Sequence, residues 1–244
     1  MIDLATSELT DRLRGLTREQ LLQLDDERLA EIDQFLTQAR YEELDALCRQ
    51  PVASFDAGPL LWLTQLTKTE NPQYEIQGVP FLAGFPRKTY FIPLFKEFLA
   101  GHDKLFVVKS RTMMSSWAAA GFAAWAAQWK AEETVIQTLN VDRALHIIDY
   151  VRQLMDYQEP WLSQLHPVEK RTAFTISWRG GGEVAAIPSG ANAIRAFHPT
   201  RYVQDESAFM VEGEEALNAV TPTGAKVICI STAASGWFSD MCSQ

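Results

Sequence analysis

From residue 105 onward, short apolar runs alternate with longer helical patterns. Residues 105–108, 134–138, 173–178, 183–187, 201–204 and 226–230 are brief, apolar and rich in β-branched or aromatic side chains, and they predict strands. The runs at 173–178 and 183–187 flank Gly180-Gly181-Gly182 and read as a hairpin. Between the runs lie an alanine- and tryptophan-rich helix over 115–130 and an amphipathic helix over 141–157. A further helix is expected over 90–99. Strands that alternate with helices predict an α/β fold, with a largely parallel sheet flanked by helices on both faces.

Upstream the texture differs. Residues 7–49 read as two or three helices, with Leu21, Leu22, Leu29, Ile32, Phe35 and Leu36 at helical spacing and Thr17 and Gln20 placed as a capping box. This stretch is either a solvated amphipathic hairpin packed on the main domain or a docking arm for a partner. Residues 50–88 hold Pro51, Gly58, Pro59, Pro72, Gly78, Pro80, Gly84 and Pro86, a density of breakers that predicts a wrapping linker. The chain therefore divides into an N-terminal helical segment, 1–60, and an α/β domain, 61–244.

Apolar residues make up 47% of the 244, enough for a sizeable core. No apolar run reaches membrane-spanning length, and the opening residues are acidic where a secretory leader would be basic. Three scattered cysteines fit neither a disulfide framework nor a zinc site, and point to a reducing cytoplasm. The net charge of −9 argues against a surface coated with cations. Residues 1–60 carry 13 acidic and 6 basic side chains, −7, whereas 61–244 carry 18 and 16, −2. The acidic excess thus belongs mainly to the helical segment.

The stretch Phe106-Val-Val-Lys-Ser-Arg-Thr-Met-Met-Ser-Ser-Trp-Ala is a strand, a tight loop and a helix start. Phosphates bind in that setting, because loop N–H groups and a helix N-terminus converge there. Against the pattern G-x-x-x-x-G-K-[ST], Lys109 stands at the first glycine, Met114 at the second, Ser115 at the lysine and Ser116 at the magnesium-binding hydroxyl. A lysine moved to the loop's start still reaches phosphates, and Arg111 adds a second cation. If the second glycine position needs a positive φ, Met114 costs about 1–2 kcal/mol. The bland alternative is a plain strand-to-helix turn with surface cations.

Arg201-Tyr-Val-Gln-Asp-Glu-Ser-Ala-Phe is a strand ending in two carboxylates. At the C-terminal edge of a parallel sheet, Asp205 can hold a Mg²⁺ shell and Glu206 can polarise an attacking water. Two ordinary surface acids are the alternative. Val227-Ile-Cys-Ile-Ser-Thr-Ala-Ala-Ser-Gly is an apolar strand running into Ser231 and Thr232, which can sit beside a terminal phosphate or simply open a turn.

Taken together, Lys109-Ser-Arg-Thr-Met-Met-Ser-Ser-Trp, Val203-Gln-Asp-Glu-Ser-Ala-Phe and Ile230-Ser-Thr-Ala resemble motifs of the large terminase subunits of tailed phages, the motors of viral genome packaging. The resemblance is clearest over 80–238. It implies an ASCE-type P-loop ATPase that uses ATP and Mg²⁺ to pump double-stranded DNA into a procapsid. The implied partners are the portal protein, the small terminase subunit and further copies in a ring, all in the host cytoplasm and none in a membrane. It implies that residues 109–116 (Lys109, Ser110, Arg111, Thr112, Met113, Met114, Ser115 and Ser116) form the nucleotide loop. Asp205 falls on the metal carboxylate beside Ser116, Glu206 on the catalytic carboxylate, Arg111 on the loop arginine, and Ser231 and Thr232 on the coupling motif. Arg195, in Ala193-Ile-Arg-Ala-Phe, falls on an arginine offered to a neighbour's site, although Ala196 follows it where the family has glycine. The family's C-terminal nuclease domain is expected to be absent, since the sequence stops soon after the coupling motif. Tyr90 or Phe91 is positioned to stack on a purine or to join the core. The competing functional readings are another motor on this fold, such as a helicase, and an inactive P-loop scaffold that binds partners.

Overall fold

The computed structural model describes residues 26–76 and 79–243. They fall into two compact units, Met1–Leu47 and Cys48–Gln244. In the first unit a helix, α1 (Asp26–Cys48), carries an exposed Leu36. The expected capping box and Leu21 and Leu22 lie outside the described residues.

The second unit is built on a seven-stranded sheet. Its strands are β3 (Lys104–Lys109), β4 (Glu133–Thr138), β5 (Val168–Arg171), β6 (Thr175–Trp178), β7 (Glu183–Pro188), β8 (Arg201–Asp205) and β9 (Lys226–Thr232), in the order β3-β9-β8-β4-β7-β6-β5. The first five in that order run parallel, and β6 and β5 close the far edge as antiparallel strands. The expected strands are all present, and β6 and β7 form the hairpin around the three glycines.

Alternation along the strands sends side chains to both faces. On one face Val135, Ala185, Tyr202, Val227 and Cys229 pack with Ala216, Leu217, Val220 and Phe238. Those partners belong to short helices, Gly213–Val220 and Trp237–Cys242, whose length is below what apolar periodicity can reveal. The other face is covered by α4 (Ser115–Lys130) and α5 (Val141–Asp156). Helix α4 is buried all round, from Ala118 to Trp129, which explains its uniformly apolar sequence. Trp125 keeps its N–H satisfied by donating to the Cys48 carbonyl at 2.9 Å.

The stretch expected to be a breaker-rich linker contains regular elements. Helix α2 (Gly58–Leu61) is a single α-helical turn with proline in its first turn, where its missing N–H costs nothing, and Trp62–Leu66 continues it as a π-helical turn. Strands β1 (Thr69–Ile76) and β2 (Val79–Ala83) then pair as a separate two-stranded hairpin, which accommodates Pro72 and Pro80 because neither strand is central in a sheet. Helix α3 (Phe91–Ala100) leads into β3, with Phe91, Phe95 and Phe98 buried. Phe91 is therefore a core residue, packed against Phe85 and Phe95.

Candidate functional site

Four parallel strands end on one cleft of about 380 Å³, and each contributes its last residue to the lining: Lys109 from β3, Thr232 from β9, Asp205 from β8 and Thr138 from β4. Arg111, Thr112, Ser116, Leu139, Arg143, Glu206 and Phe209 complete the lining. Strand β9 lies between the loop strand β3 and the carboxylate strand β8, with Lys109 level with Thr232 and Asp205 level with Ile230. The C-terminal edge of a parallel sheet is where such folds present ligand sites.

Two short contacts join segments about a hundred residues apart in sequence. Ser116 Oγ donates to Asp205 Oδ2 at 2.7 Å, and Lys109 Nζ donates to Glu206 Oε1 at 2.7 Å. Asp205 is only 7% exposed, and its second oxygen, Oδ1, is buried with no hydrogen-bond partner among the described residues. Burial pushes the Asp205 carboxyl above the usual carboxylate range, against the Ser116 hydrogen bond and with reinforcement from the Glu206 charge, while Lys109 and Arg143 pull it down. A buried carboxylate with a free oxygen beside a serine hydroxyl is a hard-oxygen set suited to a divalent cation.

Backbone strain gathers here. Of the four non-glycine residues with positive φ among the described residues, Thr112 at 65° and Glu206 at 60° line this cleft, and Met114 at 53° lies in the loop between Thr112 and Ser116. Met114 thus adopts the left-handed conformation that its alignment with a glycine position anticipates, immediately before α4. Glu206 turns the chain sharply out of β8, and the turn that follows is tied to β9 by the Ala208 N–H donating to Ser231 Oγ at 3.2 Å.

The other expected residues are distributed as follows. Ser110 is exposed at the loop's start. Met113 and Ser115 line a separate groove of about 370 Å³ between α3 and β3, where Tyr90 donates its hydroxyl to the Met113 carbonyl at 3.3 Å. Ser231 is fully buried and touches the post-carboxylate turn, while Thr232 reaches the cleft. Arg195 stands outside the cleft lining, exposed, with its guanidinium donating to Asn192 Oδ1 at 3.1 Å. Thr138, Leu139, Arg143 and Phe209 were not anticipated. For Thr138, Leu139 and Arg143 the available signal was the predicted end of β4, and for Phe209 the turn after β8, since strand ends on this edge meet the ligand.

Among solved structures, the chain is similar to the large terminase of bacteriophage HK97, with a TM-score of 0.53 and 9% sequence identity over 71% of this chain and 36% of that one. The fold is that of the large-terminase ATPase. The chain spans about a third of the length of the HK97 terminase. Weaker likenesses are to the ATPase domain of the Thermus phage P74-26 large terminase (TM-score 0.43, 14% identity, 56% of this chain and 62% of that one) and to the N-terminal domain of the bacteriophage phi29 DNA packaging ATPase (TM-score 0.43, 17% identity, 57% and 78%). No protein-family model matches the sequence, and no curated protein does. Among the described residues no helix is long and apolar enough to cross a membrane.

Proposed function

We propose that this chain is the ATPase part of a viral DNA-packaging motor, which hydrolyses ATP and couples the reaction to movement of double-stranded DNA into a procapsid. The observation that carries the reading is the pairing of Ser116 with Asp205, whose second oxygen is unsatisfied, beside Lys109 and Glu206 in one terminase-type cleft. Three cations, Lys109, Arg111 and Arg143, face two carboxylates there, 3 − 2 = +1, in a chain whose net charge is −9. A locally positive cleft in an acidic protein favours a polyphosphate.

In this reading residues 109–116 wrap the phosphates, with Lys109 and Arg111 as their cations. Ser116 and Asp205 are the residues that would hold Mg²⁺, which when bound supplies charge neutralisation at the phosphates. Lys109 exchanges its Glu206 partner for a phosphate oxygen, and Glu206, released, orients and polarises the attacking water. Ser231 and Thr232 link the cleft to the turn beyond the carboxylates. The proposed partners are DNA, the portal protein, the small terminase subunit and further copies in a ring, in the host cytoplasm. Arg195, exposed and outside its own cleft, is free to serve a neighbouring copy.

The test is phosphate release from Mg·ATP with and without double-stranded DNA. The parent chain should turn over slowly, and Glu206→Gln should bind nucleotide yet release no phosphate. A Glu206→Gln variant as active as its parent would remove Glu206 from the chemistry. A parent chain that binds nucleotide but never hydrolyses it, even with DNA and portal present, would favour an inactive scaffold.

A further inference from the structure

The wall of the cleft opposite the phosphate loop carries a cation that belongs to no motif. Arg143 stands in the first turn of α5, directly after β4, and lines the cleft with Lys109, Asp205 and Glu206. In the strand order β3-β9-β8-β4 it enters from the far side of the carboxylate strand, three strand spacings or about 14 Å from β3. We infer that Arg143 contacts the terminal phosphate of a bound nucleoside triphosphate, and so lets the cleft distinguish triphosphate from diphosphate. This rests on the nucleotide-binding reading of the same cleft.

Three observations support the assignment. First, the helix start that carries Arg143 is firmly placed. Asn140 caps α5 by accepting from the Arg143 N–H at 3.0 Å, and Trp117 of α4 stacks on Tyr150 of α5 with ring centres 3.9 Å apart. Second, the guanidinium is uncommitted: among the described residues no side-chain hydrogen bond or ion pair holds it, whereas Arg152 on the same helix is bound by Asp149 and the Thr172 carbonyl. Third, it shares the cleft lining with Asp205 and Glu206 at the end of β8, the strand next to β4.

The division of labour follows from position. The loop and the start of α4 surround the phosphates on the β3 side, with Lys109 and Arg111 as their cations. Only a phosphate that extends past Asp205 toward β4 comes within reach of Arg143. A diphosphate ends short of it. A planar, permanently charged guanidinium also suits the non-bridging oxygens of a terminal phosphoryl group.

The experiment compares the binding of ADP and of a non-hydrolysable ATP analogue, both with Mg²⁺, to the parent chain and to Arg143→Gln, Arg143→Lys and Arg152→Gln, with thermal melting to verify folding. Arg143→Gln should weaken the analogue about tenfold or more while changing ADP by no more than about twofold, as expected for one charge-assisted contact made by the triphosphate alone. Arg143→Lys should fall between parent and Arg143→Gln, and Arg152→Gln should match the parent. Equal losses for both nucleotides, or no loss for either, would overturn the assignment while leaving the cleft a nucleotide site. A parent chain that binds neither nucleotide would overturn the nucleotide reading and this assignment with it.

Discussion

Lys109 and Glu206 are the two residues that the nucleotide reading needs most, and in this structure they hold each other at 2.7 Å, with the lysine side chain 10% exposed. Removing Lys109 takes away a phosphate cation and leaves a partly buried carboxylate unpaired. Lys109→Ala should therefore weaken nucleotide affinity or turnover by about 1.5–3 kcal/mol, the worth of a hydrogen bond to a charged group. Lys104→Ala, at the opposite end of the same strand and exposed, should change neither. Equal effects of the two substitutions on measured affinity would mean that Lys109 never meets phosphate. Met114 offers a second comparison. A side chain at φ 53° costs about 1–2 kcal/mol, and β-branching makes that region worse. Met114→Val should lower unfolding stability by about 1–2 kcal/mol in denaturant titrations, and Met114→Gly should be tolerated, since relief of strain offsets the added freedom of the unfolded chain.

At the scale of elements, the β6–β7 hairpin is seated on α4 through a close backbone approach. A Cβ at Gly182 would lie 2.0 Å from the Ala127 carbonyl oxygen, whereas one at Gly181 would meet nothing within 4 Å. Backbone cannot swing aside as a flexible side chain does. Gly182→Ala should cost at least about 1–3 kcal/mol of stability, the range for an overpacked site. Gly181→Ala, whose φ of 96° is its only burden, should cost about 1 kcal/mol. Equal melting temperatures for the two variants would show that the hairpin is not seated through Gly182. A quite different tie runs through the sheet's interior. Tyr202 donates to Gln137, Gln204 donates to Tyr202 and to the Gly213 carbonyl, and Gln137 donates to the carbonyls of Pro188 and Gly190. These buried groups are mutually satisfied, which fixes β4 and β8 against the loops that follow β7 and β8.

For the whole molecule, the proposal of a shared-site ring places the two halves of each active site on different copies. Arg195 is exposed and lies outside its own cleft lining, while Glu206 is inside it. On an assembled portal–DNA complex, mixing Arg195→Ala chains with Glu206→Gln chains should restore part of the activity that each variant lacks alone, because some interfaces then hold an intact arginine and an intact carboxylate. An arginine supplied in trans is worth about 10³–10⁵ in rate, so even a small fraction of intact interfaces is measurable. Absence of rescue at every mixing ratio, with assembly verified, would reject Arg195 as the donor and favour Arg111, which lines its own cleft.

Residue pattern alone was enough to mark six of the seven strands of the large sheet, the extent of α4 and the carboxylate pair. Each of these is written in consecutive residues: a short apolar run, an unbroken apolar helix, a strand that stops at two acids. Strand β5, Val-Glu-Lys-Arg, has too little apolar character to announce itself as a strand. The short helices Gly213–Val220 and Trp237–Cys242 were illegible because fewer than three turns carry too little periodicity. The inclusion of Thr138, Leu139, Arg143 and Phe209 in the cleft, and the pairing of Lys109 with Glu206 and of Ser116 with Asp205, were decided by tertiary structure. Those partners lie 97 and 89 residues apart, and they meet because β9, the last strand in sequence, inserts between β3 and β8. Strand order is settled by which apolar faces bury one another across the sheet, a property of the whole chain that no local window contains.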